Sequence, residues 1–289
     1  MQVRLIINAD DFGLTPGVNR AIAELHDAGA VTSATLMANG PAFDDAVALA
    51  LARPSLGVGC HIVLVDGTPV SDPATIPTLL GPNRRTFRNS LGDFALGVLR
   101  GVIRQDEIQR EALAQIQKLQ RAGLKLTHVD THKHTHLLSR VARPIIGAME
   151  QSGIRCIRNP FEPRWAATLG GSRRRGLFVR ALGPGRRRFE ASPPIASHRI
   201  LTTRGTIGVS ATGHLNSNTL SALLKSVPDG TWELVCHPGY NDRDLDAITT
   251  RLRTERETEL RALLAFTKSL PSQMHPSGLK LIHYGELGP

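Results

Sequence analysis

The sequence predicts an α/β fold, a (β/α) barrel of TIM type in regular or distorted form, and three observations carry that expectation. Short β-type runs alternate with longer helical patterns from one end of the chain to the other. The strand runs are almost continuously apolar, as parallel strands covered by helices must be. About eight such runs fit within the 289 residues, which suits a barrel better than an open sheet.

Each element has a local reason. Val3 to Asn8 is the first strand; Thr15 then offers an N-cap with Pro16 at the first helical position, and the helix runs to Gly29 as its C-terminal stop. Val31 to Met37 is the second strand, Phe43 to Arg53 a helix, and Gly57 to Ile62 the third strand. A stretch rich in proline and glycine, Asp66 to Pro82, interrupts the alternation before helical segments at 91–103 and 105–122. Lys125 to Asp130 returns as a strand. Further strands fall at Ile154 to Arg158, Thr206 to Ser210, Glu233 to Cys236 and Leu279 to His283, with helices at 139–152, 216–226 and 244–268 between them. With no repeat and no linker, residues 1–289 read as a single domain carrying an insertion at 159–204.

Composition narrows the class. Hydrophobic residues are 41% and charged residues 21%, the balance of a soluble globular chain. No apolar run approaches the roughly 20 residues that span a bilayer, and the N-terminus enters a strand directly, so a cytoplasmic location is expected. Cys60, Cys156 and Cys236 are odd in number and each lies in a predicted strand, which fits small buried hydrophobes and neither a disulfide framework nor a CxxC metal knot. The net charge is +10, yet eight Arg against one acid between Arg164 and Glu190 supply +7 of it. Trp165 to Leu182 interleaves apolar and basic residues in one predicted helix, with Arg186 to Arg188 extending the charge. A basic amphipathic helix signals contact with an anionic membrane surface; the competing expectation is that its apolar side packs on the barrel or on a second subunit, in a homodimer. No reading motif or stacking aromatics accompany the charge, so nucleic acid is not an expected partner.

The chemistry lies at the predicted strand ends, where barrels place their reacting groups. Asp10 and Asp11 end the first strand, His61 the third, Asp130 with His132, His134 and His136 the fourth, and His237 follows Cys236. Adjacent carboxylates in extended chain face opposite sides, so one of Asp10 and Asp11 can bind a metal while the other handles protons. Two His and one Asp from three strands, with positions left open, form the ligand set of a catalytic metal site. If Thr131 to His136 stays extended, its three His share a face with His128 and Asp130, too crowded for more than one to be a ligand.

The segments Asn8-Ala9-Asp10-Asp11-Phe12-Gly13, Val58-Gly59-Cys60-His61-Ile62, Thr127 to His136 and Cys236-His237-Pro238-Gly239-Tyr240 resemble, in order, the four motifs of the YdjC family, also called the ChbG/HpnK family. Ser210 to Asn216 is similar to a later family segment containing Thr-Gly. The family comprises carbohydrate deacetylases, among them chitooligosaccharide deacetylase and the hopanoid-biosynthesis deacetylase. The resemblance implies one divalent metal held by Asp11, His61 and His132, with Asp10 as general base. The family His run is richer: Lys133 and Thr135 depart from it here, which bears on substrate contacts by His134 and His136 and leaves the ligand position intact.

The expected reaction is removal of an acetyl group from an N-acetylated amino sugar, chitooligosaccharide-like or linked to a glycolipid. His237 is the candidate acid for the departing amine, and Asp130 a partner that orients an imidazole. Arg158 either pairs with Asp10, touches the sugar or lies on the surface. Ligand softness favours Zn2+, while the resemblance implies Mg2+. Two other functions compete: a barrel amidohydrolase acting on cyclic amides, against which stands Asp-Asp at the first strand, and a catalytically inactive carbohydrate-binding homologue, against which stand the intact site residues.

Overall fold

The computed structural model describes residues 2–170, 183–268 and 278–288. At its centre is a curled parallel sheet of seven strands: β1 (Val3–Phe12), β2 (Ser33–Leu36), β3 (Gly57–Ile62), β4 (His128–Thr131), β5 (Thr206–Ile207), β6 (Gly230–Cys236) and β7 (Leu279–Leu281). The order is β4-β3-β2-β1-β6-β5, with β7 also on β1. The ten-residue β1 divides one edge between two partners: Val3 to Leu5 pair with β7, and Asn8 to Phe12 with β2. Its other edge carries β6 along Val3 to Ala9.

Helices cover the sheet where the sequence predicts them. α1 (Pro16–Asp27) begins at Thr15, whose hydroxyl accepts from the Val18 N–H at 3.2 Å, and it ends before Gly29 at φ 79°. α2 (Phe43–Leu51), α3 (Leu91–Leu99), α4 (Gln105–Arg121) and α5 (Ser139–Gln151) follow. Among the described residues no helix is long and apolar enough to cross a membrane.

The expected strand at Ile154 to Arg158 is reduced to single bridges, Val129 with Ile157 and Cys156 with Leu201. Pro160 has no N–H to give a ladder, and Asn159 takes over locally, accepting from the Phe161 N–H and donating to the Thr203 carbonyl. The expected strand Thr206 to Ser210 stops at Ile207 for a related reason. Glu162 captures the N–H groups of Gly208 and Ser210 at 2.8 and 2.9 Å, and Gly208 turns the chain at φ 93°. Hydrogen bonds still cross this wall: Ile157 N to Leu201 O, then Arg204 N to Thr231 O and Glu233 N to Gly205 O. The expected helix over 244–268 divides into Arg243–Asp246 and Thr254–Thr267.

The predicted basic helix from Trp165 to Leu182 ends at Leu169, with Gly170 as its cap, and residues 171–182 lie outside the described residues. Its described aromatic side chain, Trp165, meets Trp232 edge-on at 5.9 Å, and Phe189, from the helix Gly183–Glu190, meets Phe161 at the same distance. Arg187 and Arg188 of the helix Gly183–Glu190 are exposed. The three cysteines are buried and free.

Candidate active site

The site starts with a break in β1. Asn8 and Ala9 are in register with both neighbouring strands, but the ladder slips between Ala9 and Phe12, and Asp11 adopts φ 66°. A non-glycine residue there costs about 1–2 kcal/mol. The local structure holds it: Leu14 N–H bonds to the Asp11 carbonyl, and Gly13 N–H to Asn19 Oδ1 at 2.7 Å. The kink overturns the expectation that Asp10 and Asp11 face opposite sides. Both carboxylates come to the same mouth, because strand alternation ends where the chain turns left-handed.

His61 and Asp130 are direct neighbours across the β3–β4 ladder. Register therefore makes their contact: His61 Nδ1 lies 2.7 Å from Asp130 Oδ1, with Thr35 Oγ1 donating to Asp130 Oδ2 at 3.0 Å. An imidazole whose Nδ1–H is given to a carboxylate presents a bare Nε2, the tautomer a metal requires. Burial alone would lower the His61 imidazole, but the adjoining Asp130, with Asp10 and Asp11 nearby, raises it to about 9.

The His run does not stay extended. His132–Leu137 is a 3₁₀ segment with Lys133 and His134 at φ 55° and 51°, so its three imidazoles diverge. His132 Nδ1 reaches 3.4 Å from Asp11 Oδ1 and 3.3 Å from His61 Nε2, and it is 23% exposed. Lys133 is carried outward into an ion pair with Asp66. His136 turns inward between Thr131 Oγ1 and the Arg158 carbonyl, and burial followed by Arg158 pushes it down to about 3. His134 is half-buried with Nδ1 unpartnered. His128, stacked on Tyr284 at 3.9 Å, donates from Nε2 to Asn8 Oδ1 at 3.0 Å, below the mouth.

The opposite wall supplies charge. Arg158 is fully buried and grips Asp10 with both terminal nitrogens, at 2.8 and 2.6 Å; it also meets Asp130 Oδ2 at 2.7 Å and Glu233 Oε1 at 2.6 Å. Of the three expectations for this residue, the pairing with Asp10 is the one the structure forms. Burial would raise the Asp10 carboxyl, yet the Arg158 guanidinium outweighs it and holds the group far below the usual carboxylate range. His237 Nε2 stands 3.7 Å from Asp10 Oδ2, its backbone N–H fixed on Glu259 Oε2 at 2.6 Å. Arg256, from the helix Thr254–Thr267, bonds Asp11 Oδ2 at 2.6 Å. Sequence reasoning missed Thr35, Arg256, Glu233 and Tyr284. Only Glu233 left a signal, as the lone charge inside the apolar run Trp232 to Cys236.

Two properties of these residues fit a divalent cation. Asp11 Oδ1, His61 Nε2 and His132 Nδ1 are mutually 3.5, 3.4 and 3.3 Å apart. Ligand atoms about 2.1 Å from a four-coordinate ion are separated by about 3.4 Å. In the network joined by side-chain contacts, four buried carboxylates (Asp10, Asp11, Asp130, Glu233) face two guanidinium groups (Arg158, Arg256). One divalent charge would balance that excess of negative charge.

Fold and site together define a class: an α/β protein on a curled parallel sheet, with a candidate His, His, Asp metal site beside an arginine-held carboxylate. The YdjC-like protein family matches residues 4–267, and the chain belongs to that family. It is 34% identical to a carbohydrate deacetylase of Brevibacillus brevis, covering 99% of this chain and 100% of the relative. A carbohydrate deacetylase of Geobacillus stearothermophilus is also 34% identical, over 97% and 96% of the two chains. The human carbohydrate deacetylase is 32% identical over 99% and 91%. Among solved structures, a candidate cellobiose-phosphate cleavage protein of Enterococcus faecalis shares the fold with a TM-score of 0.78 over 100% of both chains, at 23% identity.

Proposed function

We propose that the protein is a metal-dependent hydrolase that removes the acetyl group from an N-acetylated amino sugar. The observation that carries this reading is the convergence of Asp11, His61 and His132 beside Asp10, with His132 as the exposed edge. The relatives named carbohydrate deacetylase support the substrate class. A divalent ion at the three ligands would supply Lewis acidity, polarising the amide carbonyl and acidifying water.

The chain's own groups do the rest. Asp10 takes the proton of the attacking water at a carboxylate oxygen, held in place by both nitrogens of Arg158. The Arg158 pairing keeps Asp10 ionised throughout the working pH range, so the base is always available. A weakly basic carboxylate would suffice for water that a bound divalent ion had acidified. His237, on the same mouth, gives its proton to the departing amine nitrogen. Asp130 fixes the His61 tautomer. Two imidazole nitrogens with one carboxylate suit zinc better than magnesium, which prefers oxygen ligands throughout.

The test is acetate release from N-acetylglucosamine oligomers and from lipid-linked acetamido sugars, with chelator and after return of Zn2+ or Mg2+. Chelator-sensitive release restored by one cation is expected. Cleavage of cyclic amides in its place, or release that ignores chelator, would overturn the reading. Sugar binding without release from any substrate would favour the carbohydrate-binding alternative.

A further inference from the structure

A polar column runs through the interior of the curled sheet. It begins at the far end of the sheet, where the Tyr284 N–H bonds to the hydroxyl of Ser33, the first residue of β2. The Tyr284 ring is fully buried, and its hydroxyl donates to Glu233 Oε2 at 2.5 Å. Thr206 Oγ1 donates to the same oxygen at 3.0 Å. The other oxygen, Glu233 Oε1, accepts from Arg158 Nε at 2.8 Å and Nη2 at 2.6 Å. Arg158 then turns both terminal nitrogens to Asp10.

Arg158 thus has its guanidinium fixed from behind by Glu233 before it meets Asp10. A guanidinium is a rigid planar fork, so fixing one edge fixes the direction of the others. Glu233 is itself held by two hydroxyls, and it has no exposure through which water could replace them. No step of the proposed reaction uses Glu233 or Tyr284, yet burying a carboxylate, a guanidinium and a phenol in a core costs stability unless all are satisfied.

We propose that Glu233 and Tyr284 are positioning residues for this site: through Arg158 they set the orientation of Asp10, so that the C-terminal segment of the chain reaches the reacting end of the sheet by a chain of side-chain contacts. The proposal rests on the deacetylase reading. The Tyr284 hydroxyl acts by way of Glu233, and Glu233 by way of Arg158. Their main effect is on turnover, because neither residue touches Asp11, His61, His132 or the mouth, and Asp130, the His61 partner that Arg158 also meets, keeps Thr35 as a second donor.

The experiment uses the full chain with Glu233→Gln, Tyr284→Phe and the double variant. Phenylalanine keeps the ring stacked on His128 and removes only the hydroxyl. Glu233→Gln is expected to lower kcat on the order of tenfold or more with KM and metal content unchanged, since small misplacements of a reacting group are costly. Tyr284→Phe removes one hydrogen bond and is expected to lower kcat about fivefold. The double variant should be no worse than Glu233→Gln. Wild-type kcat in Glu233→Gln, losses that multiply in the double variant, or a parallel rise in KM or loss of metal would each overturn the proposal. If Glu233→Gln does not fold, the kcat-against-KM split of Tyr284→Phe decides. If the wild type deacetylates nothing, the functional reading fails separately. The crystal structure of Glu233→Gln then decides the positioning: Arg158 turned off Asp10 supports it, and an unmoved Arg158 overturns it.

Discussion

Two walls of the sheet meet at the mouth, and they position side chains by different means. On the wall of β1 to β4, backbone ladders do the work: His61 and Asp130 are register partners, and their 2.7 Å contact follows from pairing alone. On the wall formed by residues 155–162, 201–207 and β6, ladders are short, and side chains take their place. Glu162 caps two backbone N–H groups, Asn159 binds across to Thr203, and Arg158 is anchored by three carboxylates. The first wall carries the three proposed ligands, with His61 inside a ladder and Asp11 and His132 where ladders end, and the irregular wall carries the charge. A ladder fixes the His61 to Asp130 distance; the orientation of a carboxylate needs a counter-charge that strand pairing does not provide.

The sharpest way to break the ligand wall is to remove a ligand. Asp11→Ala, His61→Ala or His132→Ala should lose bound metal and activity together, a fall of at least about 1,000-fold, because three ligands leave no redundancy. Elemental analysis beside the rate assay checks it; a full metal complement in His132→Ala would move the ligand to His134 or His136. Next in size is the proton-handling group. Asp10→Asn should keep its metal and lose about 100- to 10,000-fold in kcat. A retained rate would remove Asp10 from its role as base.

The charge wall breaks differently. Arg158→Met leaves Asp10, Asp130 and Glu233 buried without their shared cation, and a broken buried pair costs about 3–5 kcal/mol. Denaturant unfolding should show that loss. Thr35→Val, on the ligand wall, removes a single neutral donor to Asp130 and should cost about 1 kcal/mol. An equal loss from both variants would erase the distinction between the walls.

The smallest effect is on pH dependence, and it ties the walls together. His61 is raised from 6.5 to about 9, so in the metal-free protein its proton contributes stability that is complete below pH 6.5 and disappears as pH rises through about 9. Metal must displace that proton, so affinity should weaken by up to about tenfold for each pH unit below 9. Calorimetry in buffers of different ionisation enthalpy should detect about one proton released per metal bound near neutral pH. No proton release would mean His61 is already neutral before metal arrives.

Much of the ligand wall was legible from residue order. Strand alternation put His61 and Asp130 at strand ends, and the Thr15, Pro16 and Gly29 signals bounded α1 where the structure has it. The kinked residues were not legible. Asp11, Lys133 and His134 are non-glycine residues at positive φ. Residues other than glycine seldom take that region, and contacts from elsewhere hold Asp11 and Lys133 there. The lost strand at 154–158 was foreshadowed by Pro160, but Asn159 capturing a ladder position gave no sequence pattern.

By itself the sequence determined the α/β class, the family and the set of polar residues gathered at strand ends, because apolar periodicity and motif spacing are local properties that a chain carries in its order. The tertiary structure alone decided who neutralises whom. Asp10 meets an arginine 148 residues away, and Asp11 one 245 residues away. Buried charges find partners through space, and the Coulomb energy that selects them depends on distance and burial, neither of which separation along the chain records.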